Sequence, residues 1–506
     1  MTRTAEARPP LPSRPRGWLG PLLQRLHFYA GILVGPFILV AATSGALYVI
    51  SPQIEEVVYA DTLHVAPSDT TLSLGEQVEI AQAHVGGQAP LSAIRPAPEP
   101  GDTTRVMFAQ DGLGESESRA IFIDPGTGEI RGDLTVYGTS GSLPLRSWID
   151  HLHRGLHLGD VGRLYSELAA SWLWIVASAG LALWIVRAGR TRIGRHREQS
   201  RPRAGGRRRL LRWHTVIGSV VLLAALFLSA TGITWSQHAG ANVTDLRAGL
   251  GWATPAISAS LGGTEPAADE HSEHSGHAEH SGGSEHAGHH GGTTDPSGAA
   301  MDPMDPMHVD HVLEVARGVN IDSTAVEILP PAQPGTAWVV QEIHRSYPTE
   351  VDVVAIDGTT LEVVDRVDFG DYPLMAKLAR WGVDIHMGTM FGLVNQIVLF
   401  LVAMGIASMV VLGYAMWWRR RPRGAPRVLG GRAPRRGALR AAPWWGLAAV
   451  GAVAVAIGLF LPLVGWTLLG FLAVDVALAL RPVREPAGSP RLAADRPGRR
   501  APGSLS

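Results

Sequence analysis

Six apolar stretches, each near the length of a membrane-crossing helix, leave this chain of 506 residues little freedom in how it can fold. They cover residues 26–50, 166–187, 211–235 and 391–418, with two more in a tight hairpin at 443–480 around Leu461-Pro462-Leu463. A hydrocarbon core about 30 Å thick takes about 20 apolar residues of helix, which each stretch approaches or exceeds. The first is long enough to span, so it reads as a retained helix and not as a cleaved leader.

Arginine placement orients the spans. Residues 1–25 hold five Arg and one Glu, and residues 187–212 hold eleven Arg and one Glu. Residues 419–440 hold nine Arg and no acid, and 481–506 hold six Arg and two acids. Cytoplasmic loops carry the excess of basic residues. This rule predicts a multi-pass protein of the cytoplasmic (inner) membrane with both termini inside. The N-terminus 1–25, the loops 188–210 and 419–442 and the tail 481–506 are then cytoplasmic, and residues 51–165 and 236–390 lie outside. The net charge of −1 gives no reason to expect nucleic acid as a partner. The absence of cysteine excludes disulfides, thiolate metal sites and cysteine nucleophiles.

The two outside segments repeat one order of elements. In the first, Leu74–Ala81 reads as a helix, Thr104–Phe108 as a strand, and Ala120–Ile130 as strand, turn, strand, with Asp124-Pro125-Gly126-Thr127-Gly128 supplying the turn. In the second, His311–Ala316 reads as a helix, Ala337–Glu342 as a strand, and Val353–Val364 as strand, turn, strand around Asp357-Gly358-Thr359. The expected fold is an α-helical polytopic membrane protein, with a duplicated four-helix core, a C-terminal helical hairpin and two small α+β extracytoplasmic domains. Residues 262–307 form a low-complexity insert that reads as a disordered linker.

The spans are duplicated too. His27 is followed by Gly31 at +4 and Gly45 at +18, and His214 by Gly218 and Gly232 at the same spacings. Thr43-Ser44-Gly45 and Ala230-Thr231-Gly232 agree in small-residue character. In the other pair of spans, Trp148 and Trp381 each lie five residues before His153 and His386. Gly159 and Gly392 follow those histidines at +6, Gly180 and Gly413 at +27, and Trp184 and Trp417 at +31. Of the three histidines at 151–157, only His153 keeps this register with His386; His157 is an alternative outer ligand through a shared His-x-Gly.

The duplication therefore sets one histidine pair, His27 and His214, near the cytoplasmic face, and another, His153 and His386, near the outer face. Neutral imidazole is a common metal ligand, and haem iron takes axial histidines. Two histidines on facing helices can clamp one haem, and Gly31, Gly45, Gly218 and Gly232 would let a flat macrocycle approach the backbone. The bland alternative is interfacial anchoring by histidine and helix packing by glycine.

These residues carry a resemblance. Leu26-His27-Phe28-Tyr29-Ala30-Gly31, Leu152-His153-Arg154-Gly155-Leu156, Trp213-His214-Thr215-Val216-Ile217-Gly218 and Ile385-His386-Met387-Gly388 resemble the PepSY-associated transmembrane family. The outside units resemble PepSY domains. The resemblance covers about residues 18–420. Some members are iron-regulated inner-membrane proteins, and some reduce ferric siderophores with two b-type haems. It implies that His27, His214, His153 and His386 are axial ligands of two haem b groups. The insert and the extra hairpin depart from the family pattern.

The insert carries His271, His274, His277, His280, His286, His289 and His290, followed by Met301, Met304, Met307 and His308. Imidazole suits Zn²⁺, Cu²⁺ and Ni²⁺, and thioether suits Cu⁺, so this tract is a candidate for gathering transition-metal ions. Asp475, inside the last span, is expected to meet Arg481 or lipid headgroups. His344 and Tyr347 are expected at an ordinary surface.

The favoured expectation is a dihaem electron-transfer protein that reduces a metal ion or metal chelate outside. The loops of about 25 residues are too short for a flavin or nicotinamide domain, so a quinol or a separate reductase is the donor. The alternatives are a non-enzymatic membrane-anchored PepSY binding or regulatory module, and a copper or iron uptake accessory working through the His/Met insert. No catalytic side chain is assigned.

Overall fold

The structure, a computed structural model, describes residues 17–87, 89–114, 116–193, 205–261, 308–421, 433–434 and 437–480. The helices in chain order are α1 (Leu19–Leu33), α2 (Gly35–Val58), α3 (Ala60–Leu63), α4 (Leu74–Val85), α5 (Pro144–Gly155), α6 (Gly159–Ile193) and α7 (Gly205–Thr234). They continue as α8 (His238–Gly249), α9 (Val309–Arg317), α10 (Leu374–Met387), α11 (Gly392–Trp418), α12 (Trp444–Phe460) and α13 (Pro462–Leu480). The strands are β1 (Leu91–Arg95), β2 (Thr104–Phe108), β3 (Glu117–Ile123), β4 (Ile130–Tyr137), β5 (Val326–Leu329), β6 (Trp338–Glu342), β7 (Val353–Ile356) and β8 (Val363–Val367).

Among the described residues, four helices are long and apolar enough to cross a membrane: Gly35–Val58, Gly159–Gly189, Gly206–Thr234 and Gly392–Trp418. They pack as a bundle that leaves large apolar side chains such as Val220, Leu223, Leu393 and Val394 exposed, as lipid-facing positions require. The chain is a multi-pass membrane protein. The hairpin helices α12 and α13 are shorter and dock on the bundle. Trp172 Nε1 donates to Thr467 Oγ1 at 3.0 Å, and Asn242 Nδ2 donates to the Phe460 carbonyl at 2.9 Å. Asp475 meets Arg25 on α1 at 2.9 Å; Arg481, its expected partner, lies outside the described residues.

The first span is not the single helix expected over 26–50. It breaks at Val34, between α1 and α2. Pro36 has no N–H to give to the Ile32 carbonyl one turn back, and its ring clashes there. The Tyr414 hydroxyl of α11 donates to that carbonyl instead, at 2.5 Å. A side chain at Gly35 would lie 3.2 Å from the Tyr414 ring, so this close crossing needs glycine.

The two α+β units are present, but they are not separate bodies. Their strands form one eight-stranded antiparallel sheet in the order β4-β3-β2-β1-β5-β6-β7-β8. β1 and β5, joined at Ile94 and Ile328, make the seam. Alternating side chains send Ile94, Val106, Phe108, Ile121 and Ile123 of the first repeat, and Ile328, Trp338, Val340, Val354 and Ile356 of the second, into one core. Helices α4 and α9 cover that core with Val78, Ala81, Val312 and Ala316. Burying a side chain of this size is worth about 1.5–3 kcal/mol, so neither repeat keeps its core if the other is removed. Asp310 at the start of α9 also accepts from the Leu74 and Gly75 N–H groups, at 2.8 and 2.9 Å, which ties the two helices together. The opposite face of the sheet, with Ala93, Met107, Ala120 and Phe122, packs toward α3 and the start of α5.

Candidate functional site

α5 and α10 leave the sheet and run back to the bundle, each carrying one of the register histidines near its end. Both helices close in left-handed residues, Leu156 and Gly388. Side chains complete their terminal carbonyls: the Tyr165 hydroxyl donates to the Leu152 and His153 carbonyls, and Asn395 Nδ2 donates to Ile385 at 2.9 Å. The ends of the helices that hold His153 and His386 are therefore fixed by the spans that follow them.

Each histidine meets the same position of a partner span. His153 Nδ1 lies 3.0 Å from Ser44 Oγ, and His386 Nδ1 lies 2.5 Å from Thr231 Oγ1. Each hydroxyl donates its own proton to the carbonyl one turn back, Ser44 to Val40 at 2.7 Å and Thr231 to Phe227 at 3.0 Å. The hydroxyl oxygen must then accept from the imidazole, which places the ring proton on Nδ1 and the lone pair on Nε2. His153 and His386 are close enough that a proton on one opposes a proton on the other.

At the other end of the bundle, the rings of His27 and His214 stand 6.2 Å apart and nearly perpendicular, at 79°. His27 Nδ1 donates to the Val176 carbonyl at 2.9 Å. The duplicate of Val176 is Met409, whose backbone carbonyl likewise lies beside His214. His214 Nδ1 is buried and makes no hydrogen bond of ordinary geometry. Gly180 holds the close approach, since a side chain there would sit 3.1 Å from the His27 ring.

The residues present fit haem. Two imidazoles each about 2 Å from one shared metal place their ring centres about 6 Å apart, which matches His27 and His214. Three of the four Nδ1 atoms are held by acceptors, and none of the four Nε2 atoms is taken by a hydrogen bond among the described residues. A haem iron needs two protein ligands, because its macrocycle supplies the others. Among the described residues no three His, Asp or Glu side chains gather as a bare-ion site would require.

The glycines divide. Gly31 faces open space, as a neighbouring macrocycle would need. Gly45 faces the His153 ring, Gly218 faces Met409 and Gly232 faces Ala170, so these three serve helix and ring packing. The His157 ring lies 4.9 Å from Trp148 and 6.1 Å from His151. His308 is buried at the start of α9. The insert's remaining residues, His271 to His290 and Met301 to Met307, lie outside the described residues. His344 pairs with Glu350 at 2.9 Å, and exposed Tyr347 packs on Phe391, both surface arrangements.

Sequence reasoning missed the residues that contact and orient the histidines: Ser44, Thr231, the Val176 carbonyl and Trp235, whose ring lies 5.5 Å from His386. The signal for Ser44 and Thr231 was present in their shared register, where size drew attention and the hydroxyl did not.

Comparison with curated proteins finds no match. The family model described as the PepSY-associated TM region matches residues 24–420, which include all four spans, the whole sheet and all four histidines, and the chain belongs to that family.

Proposed function

We propose that this protein is a dihaem transmembrane electron-transfer protein that reduces a metal ion or a ferric-siderophore-like chelate at the outer face of the cytoplasmic membrane. In this reading the sheet end lies outside and the arginine-rich loops lie inside, as the positive-inside rule requires. The observation that carries it is the contact at Nδ1 of His27, His153 and His386, which leaves Nε2 of these three unprotonated for iron. An inert membrane anchor needs none of these contacts.

Haem b, when bound, supplies one-electron chemistry. The chain's own residues hold and separate the groups. His27 and His214 would hold one, His153 and His386 the other. The 18 residues from His27 to Gly45, at 1.5 Å of rise each, set the two sites on the order of 25 Å apart. Val176, Ser44 and Thr231 fix ring orientation and basicity, as outer hydrogen bonds to metal-bound imidazole do. The electron donor is a quinol or a separate reductase at the inner side.

The test is a mixing experiment with dithionite-reduced, purified protein and ferric citrate. Reoxidation of the protein with stoichiometric ferrous product is expected, at least tenfold slower in His153→Ala and His386→Ala. Wild-type rates in both variants would contradict the outer site's role.

A further inference from the structure

Between the sheet and the bundle lies a layer of arginines that the histidine sites do not use. Arg95 on β1 and Arg105 on β2 point from the sheet face opposite the α4/α9 core. A side chain at Gly141 would run into both guanidinium groups, so they are neighbours. Arg95 donates to the Thr139 carbonyl at 2.8 Å, and Arg345 donates to Thr139 Oγ1 at 2.7 Å. Arg345 in turn faces Arg380 and Asp384 of α10 and Tyr48 of α2. Arg146, two turns before His153 on α5, lies over the Tyr48 ring and 3.8 Å from Glu55.

The charges are not paired one to one, although Glu55, Glu56 and Asp102 also act on Arg105, and Asp150 on Arg146. Arg95 pairs with Glu327 at 2.6 Å, Arg380 with Asp384 at 3.1 Å, and Arg146 more loosely with Glu55. Arg105 and Arg345 have no carboxylate of their own within ion-pair distance among the described residues. Burial and a neighbouring guanidinium, Arg95 beside Arg105 and Arg380 beside Arg345, push both down to about 10. The Nε of Arg146 is buried without a hydrogen bond. Unpaired buried cations are costly, and planar guanidinium groups match carboxylates in bidentate geometry.

We propose that this arginine layer, above His153 and His386, is a binding site for a ligand bearing two carboxylates, held chiefly by Arg105, Arg146 and Arg345. Two sources share that chemistry: the propionates of the haem between His153 and His386, and a carboxylate-rich metal chelate arriving from the sheet side. The first source rests on the dihaem reading; the second does not.

The experiment uses the full chain in nanodiscs, reconstituted either with haem or with haem dimethyl ester, which has no free carboxylate. Citrate without metal is the soluble probe, titrated by calorimetry against wild type, Arg345→Gln, Arg345→Lys and the control Arg119→Gln, at a residue paired with Asp133. If propionates fill the site, the ester binds the sheet-end site at least tenfold more weakly than haem, and Arg345→Gln removes most of that difference. Citrate then binds only the ester-loaded or haem-free protein. If a chelate fills the site, haem and its ester bind alike. Citrate then binds the haem-loaded wild type and is weakened at least tenfold in Arg345→Gln, with partial recovery in Arg345→Lys. Equal binding of haem and ester together with no citrate binding to the wild type in any form overturns the proposal, and this result needs no variant to fold. Protein that takes up no haem but binds citrate through Arg345 would sink the dihaem reading and leave the site standing.

Discussion

Ser44 Oγ accepts the Nδ1 proton of His153 at 3.0 Å because its own proton is already committed to the Val40 carbonyl at 2.7 Å. Thr231 repeats the arrangement with His386 and Phe227. Both repeats therefore set the same tautomer by the same device. Ser44→Ala leaves the His153 ring free to rotate and change tautomer. Losses at such outer partners are typically 10–100-fold in metal affinity. A loss in that range is expected for haem at the sheet-end site, with the His27/His214 site unchanged, and haem titration followed at the Soret band measures both. Thr231→Ala should behave alike, and Thr231→Ser should retain binding.

The Tyr414 hydroxyl fills the place that Pro36 vacates at the Ile32 carbonyl. Tyr414→Phe strands that carbonyl in a setting without water. Leaving a buried acceptor unmet costs about 1–3 kcal/mol. A lower melting temperature in detergent is expected, and Pro36→Ala in the same background should restore much of it by rebuilding the helical hydrogen bond.

Arg95 and Glu327 face each other across the β1–β5 seam and are both buried. Removing one partner of a buried pair costs about 3–5 kcal/mol. The surrounding excess of arginine makes the two losses unequal. Glu327→Gln adds one more unpaired cation to the layer, whereas Arg95→Gln removes one. Chemical denaturation of the full chain should show Glu327→Gln as the more destabilised of the two, and the reverse order would argue against an excess of positive charge there.

His64 carries the clearest pH dependence outside the spans. Hydrogen bonds that His64 donates to Glu56 first, then to Asp102, raise its pKa above the ordinary value of 6.5. A raised folded value means that the stabilisation is fully present below about pH 6.5 and is lost as pH rises through the folded value. The side chain is half exposed, so the effect is modest and screened by salt. Thermal melts from pH 6 to 8 should show a small decline that His64→Gln abolishes.

The duplication was legible because it is written in spacing: His27 with Gly31 and Gly45 against His214 with Gly218 and Gly232, and His153 with Gly180 against His386 with Gly413. Those spacings also singled out His153 among His151, His153 and His157; the structure sets His153 against Ser44 of a neighbouring span, while His157 packs on Trp148. The single sheet was not legible. β1 and β5 are five and four residues long and lie beside proline-rich segments. Their pairing is a tertiary event with no local trace. The break at Pro36 was readable in principle, but hydropathy averages over it. One partner of Asp475, Arg25, lies 450 positions away, beyond what any local pattern reports.

The central claim is that four duplicated histidines hold two haems, and an absorbance spectrum of purified protein tests it most directly. After haem-sufficient expression, oxidised and dithionite-reduced spectra should show a Soret band and two haems per chain by pyridine haemochrome assay. His27→Ala and His386→Ala should each remove one of them, leaving haems of different midpoint potential. A folded protein with no Soret band, or one in which neither substitution lowers the haem count, would contradict it.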